Sequence, residues 1–214
     1  MVKAILFDID NTLFPSSEFA ELARKNALNA MIAAGLDVDE EAAYRKLLKI
    51  INKYGPNYPK HFNALLRELG KKSEPKIIAA GVVAYHQTKA SIFPFPDVPK
   101  TVIQLREQGY TICVASEGRA IKQWDKLIRL GLHNLFHYVF VTPKKTKKFY
   151  SSILKKLRMQ PHDVVMVGDS VEKDIEPAKE AGITTVLLSK KKNNADYNIT
   201  AIKELIPILQ ELRK

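Results

Sequence analysis

Two aspartates separated by one residue directly follow the first apolar run of the chain. The run is Lys3-Ala4-Ile5-Leu6-Phe7, and the polar segment after it is Asp8-Ile9-Asp10-Asn11-Thr12. Because side chains alternate across an extended strand, this spacing predicts that both carboxylates lie on one side, in a small shared site. Two such carboxylates repel each other unless a proton or a cation lies between them, and hard oxygen ligands suit Mg²⁺. The alternative is that the Asp-Asn-Thr segment only forms the turn that closes the strand.

The elements around these aspartates predict where they lie in the fold. The first run carries no charge after Lys3, which is typical of a strand covered on both faces of a parallel sheet. From Asp97 onward, predicted strands and helices alternate: strands over 110–115, 138–141, 163–167 and 184–188, and helices over 97–108, 120–130, 147–157 and 171–181. This alternation predicts an α/β fold with a parallel, doubly wound sheet.

Polar residues follow three of the predicted strands. Asp8 and Asp10 follow the first strand, Ser116-Glu117-Gly118 the second, and Gly168-Asp169-Ser170 the fourth, with Asp174 slightly farther along. In an open parallel sheet, ligands bind beyond the carboxyl ends of the strands, where the strand order reverses. The coincidence of three polar strand ends therefore predicts an active site at this edge of the sheet.

The segment between the first two strands has a helical pattern throughout. Apolar spacing predicts helices over 17–34, 39–53, 60–69 and 74–90, with a Gly- and Pro-rich loop at 54–59. The segment Phe93-Pro94-Phe95-Pro96 is a stiff connector, because each proline excludes helix for itself and for the residue before it. We therefore expect two domains: an α/β core of residues 1–15 and 94–214, and an inserted all-helical domain of residues 16–93.

Charge and composition limit the possible partners and locations. The formal net charge of +11 permits a nucleic-acid or membrane partner, but the lysine runs at 144–148 and 190–192 lack the interleaved aromatic residues that stack on bases. We interpret them as solvated surface and expect no nucleic-acid or membrane partner. The absence of an apolar run as long as a signal peptide or a membrane span predicts a cytoplasmic protein. The single cysteine, Cys113, is expected to be a buried small hydrophobic residue.

The ordered motifs resemble those of the haloacid dehalogenase superfamily of phosphohydrolases. The segment 8–12 resembles the first motif, Ser116 the second, a lysine within 144–148 the third, and Gly168-Asp169 with Asp174 the fourth. The helical insert resembles the α-helical cap of that family, and Ala195-Asp196-Tyr197 resembles its usual last strand. The loop at 54–62 is similar to that of archaeal members that act on small phosphates such as glyceraldehyde 3-phosphate.

The resemblance implies a Mg²⁺-dependent phosphatase that acts on a small phosphorylated metabolite. Asp8 would be the nucleophile, and Asp10 would be the general acid and then the general base. The implied metal ligands are Asp8, Asp10 through its backbone carbonyl, and Asp169, with Asp174 nearby. The implied substrate-binding residues are Thr12, Ser116, Glu117, Gly118, Tyr58 and His61.

The lysine of the third motif has two candidates, Lys144 and Lys145. Spacing back from Leu154 favours Lys144, whereas the Lys-Thr arrangement directly before the helix favours Lys145. Whichever lysine it is, the resemblance implies that it compensates phosphoryl charge.

Other functions remain open on the same fold. A phosphomutase, a phosphonatase or a dehalogenase would share the sheet, although Asp10 favours a phosphatase because dehalogenases of the family usually lack the second aspartate. A non-catalytic protein that binds anions or nucleic acid is the alternative from a different class. His61 could line a pocket or simply be a surface or core histidine, and both a monomer and a homodimer are possible.

Overall fold

The computed structural model describes residues 1–191 and 194–212. The chain divides into two compact units, one made of Met1–Ser16 with Phe93–Lys214 and the other of Ser17–Ile92. The role of the second unit as a cap stays a prediction. No helix in the described part of the chain is both long enough and apolar enough to cross a lipid bilayer.

A parallel sheet of six strands forms the centre of the first unit over the described residues. The strands are β1 (Ala4–Phe7), β2 (Thr111–Glu117), β3 (Tyr138–Thr142), β4 (Val164–Gly168), β5 (Thr184–Leu188) and β6 (Tyr197–Ile199). Their order is β3-β2-β1-β4-β5-β6, and every neighbouring pair is parallel. The predicted doubly wound parallel sheet is confirmed, and the strand order reverses between β1 and β4.

The helices of the described residues occupy both units. They are α1 (Ser16–Ala33), α2 (Glu40–Tyr54), α3 (His61–Glu68), α4 (Pro75–Ala90), α5 (Val98–Glu107), α6 (Ala120–Arg129), α7 (Lys147–Leu157), α8 (Glu176–Glu180) and α9 (Leu205–Glu211). Short 3₁₀ helices span Pro161–Asp163 and Ile202–Glu204, and a π-helix spans Val171–Ile175.

β1 is central because all four of its residues are buried and it pairs on both sides. Phe7 lies opposite Val114 of β2 and Val167 of β4, and the Asp8 N–H donates to the Val167 carbonyl at 2.9 Å. The carboxyl ends of β1, β2 and β4 therefore lie side by side, so the polar residues that follow them share one edge of the sheet.

One predicted helix, residues 171–181, is wrong as a single regular element. The structure has the π-helix Val171–Ile175 followed by the short α8. The Ile175 N–H donates to the Ser170 carbonyl and the Glu176 N–H to the Val171 carbonyl, five residues back in each case. Pro177 follows and has no N–H to continue the ordinary ladder, which explains why the helix changes type at this point.

The end of the chain also departs from the prediction. The last strand begins at Tyr197 rather than 195, because the Asp196 carboxylate accepts hydrogen bonds from the Thr185 N–H and hydroxyl at 2.8 and 2.7 Å. Asp196 thus closes the turn before β6. The 3₁₀ helix Ile202–Glu204 and α9 have no counterpart among the predicted elements.

The second unit has an apolar core of its own. Leu28 and Met31 of α1, Leu47 of α2 and Leu65 of α3 are all fully or almost fully buried in one cluster. Gly81 of α4 lies so close to α1 that a Cβ there would be 2.7 Å from the Met31 Cγ. Helix α2 is capped by the Asp39 carboxylate, which accepts from the Ala42 N–H at 2.8 Å.

Candidate active site

The side chain of Lys145 links two buried aspartates at the carboxyl edge of the sheet. Its Nζ lies 2.5 Å from Asp8 Oδ1 and 2.5 Å from Asp174 Oδ1. The side chain of Lys145 is only 2% exposed, and that of Asp174 only 1%. Burying a charged group costs free energy unless the group is paired. The contacts of Lys145 with Asp8 and Asp174 therefore allow these three side chains to be buried in charged form.

Asp169 completes an acidic cluster with Asp8 and Asp174. A carboxylate oxygen from each of the three lies within 4.8 Å of the others. Asp174 reaches the cluster because Gly168 has no side chain, since a Cβ there would be 2.3 Å from Asp174 Oδ2. The Ser170 N–H holds the same oxygen at 3.1 Å. The π-helix thus delivers Asp174 directly against the end of β4.

Burial and mutual repulsion raise the pKa values of all three carboxyl groups. Burial raises the pKa of Asp8 to about 6, although the charge of Lys145 works in the opposite direction. Burial also raises the pKa of Asp169 and of Asp174, and the neighbouring charge of Asp8 adds to the shift at Asp169. Burial disfavours the Lys145 ammonium, but the charges of Asp8 and Asp174 more than compensate and raise its pKa.

The cluster fits a hard divalent cation. Three carboxylates face one ammonium, so the ionised group carries two uncompensated negative charges at close range. Carboxylate oxygens are the ligands that Mg²⁺ prefers, and a divalent cation would balance this charge. Asp8, Asp169 and Asp174 are therefore the side chains that could hold the predicted Mg²⁺.

Lys145 and Lys144 occupy different environments. Thr146 is the N-cap of α7, and its hydroxyl accepts from the Phe149 N–H at 3.3 Å. The residue directly before this cap, Lys145, turns into the acidic cluster. Lys144 is exposed, and its carbonyl accepts from the Thr142 hydroxyl at 3.0 Å. Of the two lysine candidates, only Lys145 contacts Asp8.

Two predicted substrate-binding hydroxyls are buried and have no hydrogen-bond partner among residues 1–191 and 194–212. Thr12 is 0% exposed and Ser116 is 1% exposed, and neither the Thr12 Oγ1 nor the Ser116 Oγ is bonded within this part of the chain. Buried polar groups in proteins are normally paired, so these two hydroxyls are available to bond a ligand, and the predicted contact of Thr12 and Ser116 with substrate stays a prediction. Thr12 lies in the turn after β1, and Ser116 is the next-to-last residue of the neighbouring strand β2, at the edge that carries Asp8.

Glu117 is held by the segment before α7 and by the π-helix. Its Oε2 accepts from the Lys145 N–H at 3.1 Å, and its Oε1 pairs with Lys173 Nζ at 3.1 Å. Burial opposes ionisation of Glu117, but these bonds bring its pKa below the ordinary value. Gly118 has a backbone φ of 138° and lies against the Gln123 side-chain amide. The predicted contacts of Glu117 and Gly118 with substrate stay predictions.

Asp10 does not share a partner with Asp8. Its carboxylate accepts from Lys126 Nζ of α6 at 2.5 Å, outside the cluster of the other three aspartates. Its backbone forms an isolated bridge with Phe14. The strand β1 ends at Phe7 and the chain turns before Asp10, so the two carboxylates have different partners. That they share one site stays a prediction.

Tyr58 and His61 belong to the helical unit. The rings of Tyr54 and Tyr58 stack with centroids 4.6 Å apart, and His61 packs edge-on against Tyr58 at 5.4 Å. His61 Nε2 is bonded to the Gly55 carbonyl at 2.9 Å, and burial lowers the pKa of its imidazole. These contacts order the loop before α3, and the predicted contact of Tyr58 and His61 with substrate stays a prediction.

Three residues contact the site without having been among the predicted site residues. Asn11 hydrogen-bonds Asp169, accepts from the Ser16 hydroxyl at 3.1 Å, and has a backbone φ of 54° that Asn tolerates well. Lys126 contacts Asp10, and Lys173 contacts Glu117. Asn11 lies inside the first motif and could have been singled out, whereas nothing in the sequence distinguishes Lys126 and Lys173 from the other lysines.

Comparison with known proteins identifies relatives along the whole chain. The model of a family described as haloacid dehalogenase-like hydrolase matches residues 2–182. A protein of Methanopyrus kandleri named glyceraldehyde 3-phosphate phosphatase is 44% identical over 232 residues, covering 100% of both chains. A protein of Methanocaldococcus jannaschii with the same name is 42% identical over 227 residues, again covering 100% of both.

Solved structures share the fold. A haloacid dehalogenase-like family hydrolase from Xanthomonas campestris superposes with a TM-score of 0.77 at 20% identity, covering 99% of this chain and 96% of that one. A HAD phosphatase from Thermococcus onnurineus gives a TM-score of 0.68 at 25% identity, covering 97% and 98%.

Proposed function

We propose that this chain, which belongs to the haloacid dehalogenase-like hydrolase family, hydrolyses small phosphate monoesters through a phosphorylated Asp8. The observation that carries the proposal is the buried contact of Asp8 with Lys145 inside an acidic cluster, at the point where the strand order reverses. Full-length relatives named glyceraldehyde 3-phosphate phosphatase support a triose or sugar phosphate as the substrate.

In the first step, an Asp8 carboxylate oxygen attacks phosphorus and the bond from phosphorus to the ester oxygen breaks. Asp10 gives its proton to the departing alkoxide, which leaves as an alcohol. In the second step, water attacks the phosphorus of phospho-Asp8 and gives a proton to Asp10. The bond between phosphorus and the Asp8 oxygen breaks, which restores the carboxylate and releases inorganic phosphate.

The other residues of the site compensate charge and fix orientation. The Lys145 ammonium is close enough to Asp8 to stabilise the charge on the equatorial phosphoryl oxygens. The buried hydroxyls of Thr12 and Ser116 donate to the same group. Asp8, Asp169, Asp174 and the Asp10 carbonyl would hold Mg²⁺, which would supply positive charge against the phosphate oxygens.

We assign the choice among substrates to the helical unit, as a cap. Its candidate contacts are Tyr58 and His61, which the ring contacts and the bond to Gly55 hold in one arrangement. A cytoplasmic location, a monomeric or homodimeric state, and the absence of nucleic-acid and membrane partners stay predictions.

The test is phosphate release by metal-stripped protein with and without added Mg²⁺. The substrates are glyceraldehyde 3-phosphate, glycerol 3-phosphate and p-nitrophenyl phosphate. We expect turnover of all three that requires Mg²⁺, and a changed preference among the two metabolites in Tyr58→Ala and His61→Ala. Protein that releases no phosphate from any of them in Mg²⁺ would contradict the proposal.

A further inference from the structure

Lys126 contacts Asp10 from a distant part of the chain. Its Nζ lies 2.5 Å from Asp10 Oδ2, across 116 positions of sequence. The two side chains are 24% and 38% exposed. We infer that Lys126 is a positioning residue that orients the Asp10 carboxylate for proton transfer, an inference that rests on the proposed phosphatase function.

Asp10 needs such a partner because, within the described residues, no other hydrogen bond or ion pair holds its side chain. The bridge to Phe14 fixes only the backbone, and the partly exposed carboxylate is not enclosed by packing. The negative charges of the cluster repel it, and its own charge acts on Asp8. The Lys126 ammonium, 2.5 Å from Asp10 Oδ2, offsets this repulsion and holds the carboxylate in one position.

Helix α6 can supply that cation at a defined position. Gln123, 4% exposed, donates to the Glu117 carbonyl at 2.7 Å, which ties the first turns of α6 to the end of β2. Leu127, the residue after Lys126, is fully buried. Because its neighbours are anchored, Lys126 extends from a fixed backbone and needs to order only its own side chain.

A proton donor and acceptor works only when it lies within hydrogen-bond reach of the reacting oxygen. A misplaced Asp10 would therefore slow the departure of a poor leaving group more than that of a good one, which leaves without protonation. This difference separates positioning of Asp10 from a purely structural role of the ion pair.

The experiment measures kcat and KM for glycerol 3-phosphate and p-nitrophenyl phosphate in the full-length protein with Mg²⁺. Lys126→Met keeps the length of the side chain and removes its charge, Lys126→Arg keeps the charge, and Lys155→Met removes an exposed lysine from α7 as the matched control. Circular dichroism and thermal unfolding verify that each variant folds.

We expect Lys126→Met to lower kcat about tenfold for glycerol 3-phosphate and less than about threefold for p-nitrophenyl phosphate. Lys126→Arg should recover part of the loss, and Lys155→Met should match the wild type. The double variant Asp10→Asn with Lys126→Met should be no slower than Asp10→Asn alone, because a positioning residue has no effect once its target is gone.

Several outcomes would overturn the inference while leaving the proposed function intact. They are equal losses on both substrates, no loss on either, a further loss in the double variant, or a rise in KM with unchanged kcat, which would make Lys126 a substrate contact. Wild-type protein that releases no phosphate from these two esters or from glyceraldehyde 3-phosphate would overturn the proposed function, and the inference with it.

Discussion

Two groups of aspartates in the α/β unit differ in how their charge is accommodated. Asp163 and Asp196 accept backbone N–H bonds, from Gln160 at 3.0 Å and from Thr185 at 2.8 Å, and each has a lysine partner. The Gln160 bond lowers the pKa of Asp163, and at Asp196 the Thr185 and Lys179 bonds lower the pKa despite partial burial. The aspartates of the acidic cluster have raised pKa values instead.

We interpret this difference in pKa as separating carboxylates that stabilise the fold from carboxylates that belong to the candidate active site. Donors around Asp196 satisfy its charge and join Thr185 to the start of β6, so its ionised form stabilises the structure. Asp8 and Asp174 share a single lysine while burial and repulsion oppose their charge. A cluster with uncompensated negative charge is suited to bind a divalent cation, whose charge can in turn attract an anionic substrate.

The largest effect should come from removing the Asp8 carboxylate. Asp8→Asn should lower kcat/KM by at least about a thousandfold, because an amide cannot act as the nucleophile. The midpoint of thermal unfolding of the metal-free variant should be no lower than that of the wild type, since a buried and repelled charge has been removed. Steady-state kinetics and calorimetry measure the two effects.

Either of two results would contradict the distinction between the acidic cluster and the aspartates that stabilise the fold. Activity close to wild type in Asp8→Asn would remove the nucleophile from the mechanism. A large fall in the unfolding midpoint would mean that Asp8 stabilises the fold in the way that Asp196 does.

Lys145 should show the next largest effect, with Lys144 as its matched control. Lys145→Ala should lower kcat/KM by about a hundredfold, since it removes a preorganised charge that stabilises the transition state. Lys144→Ala, which changes an exposed neighbour, should stay within about twofold of wild type, as surface lysines outside the site do. The reverse order of the two losses would transfer the role to Lys144.

The smallest effect should come from Asp196, on stability alone. Asp196→Ala leaves the Thr185 N–H and hydroxyl without their acceptor, and we expect a loss of about 1 kcal/mol in the free energy of unfolding at neutral pH. Phosphatase activity below the unfolding temperature should not change. Urea unfolding monitored by circular dichroism measures the loss, and a drop in kcat/KM would contradict the separation of the two groups.

Asp196→Ala also tests how the contribution of Asp196 to the free energy of unfolding depends on pH. Because the folded-state pKa of Asp196 lies below the ordinary value of 3.8, its ionised form contributes stability above that value and loses it as the pH falls through the lowered pKa. The gap in unfolding free energy between wild type and Asp196→Ala should therefore narrow in acid. If the difference in unfolding free energy instead widened below pH 4, the folded-state pKa of Asp196 would lie above its ordinary value and not below it.

The amino-acid sequence by itself determined the parallel sheet and the strand ends that carry Asp8, Ser116 and Asp169. It could do so because a buried strand requires an apolar run, and because a polar residue directly after such a run has one place to lie in a parallel sheet. The predicted helix at 147–157 has the same bounds as α7. Its start is marked in the sequence, because Thr146 is a residue type favoured at the N-cap.

The tertiary structure decided which side chains meet. The π-helix places the Asp174 side chain against Gly168, and apolar periodicity carries no signal for this contact. The contacts of Lys145 with Asp8 and of Lys126 with Asp10 span 137 and 116 positions. Lysines are chemically alike along the chain, so only the packing of α6 and α7 against the sheet determines which ammonium meets each carboxylate.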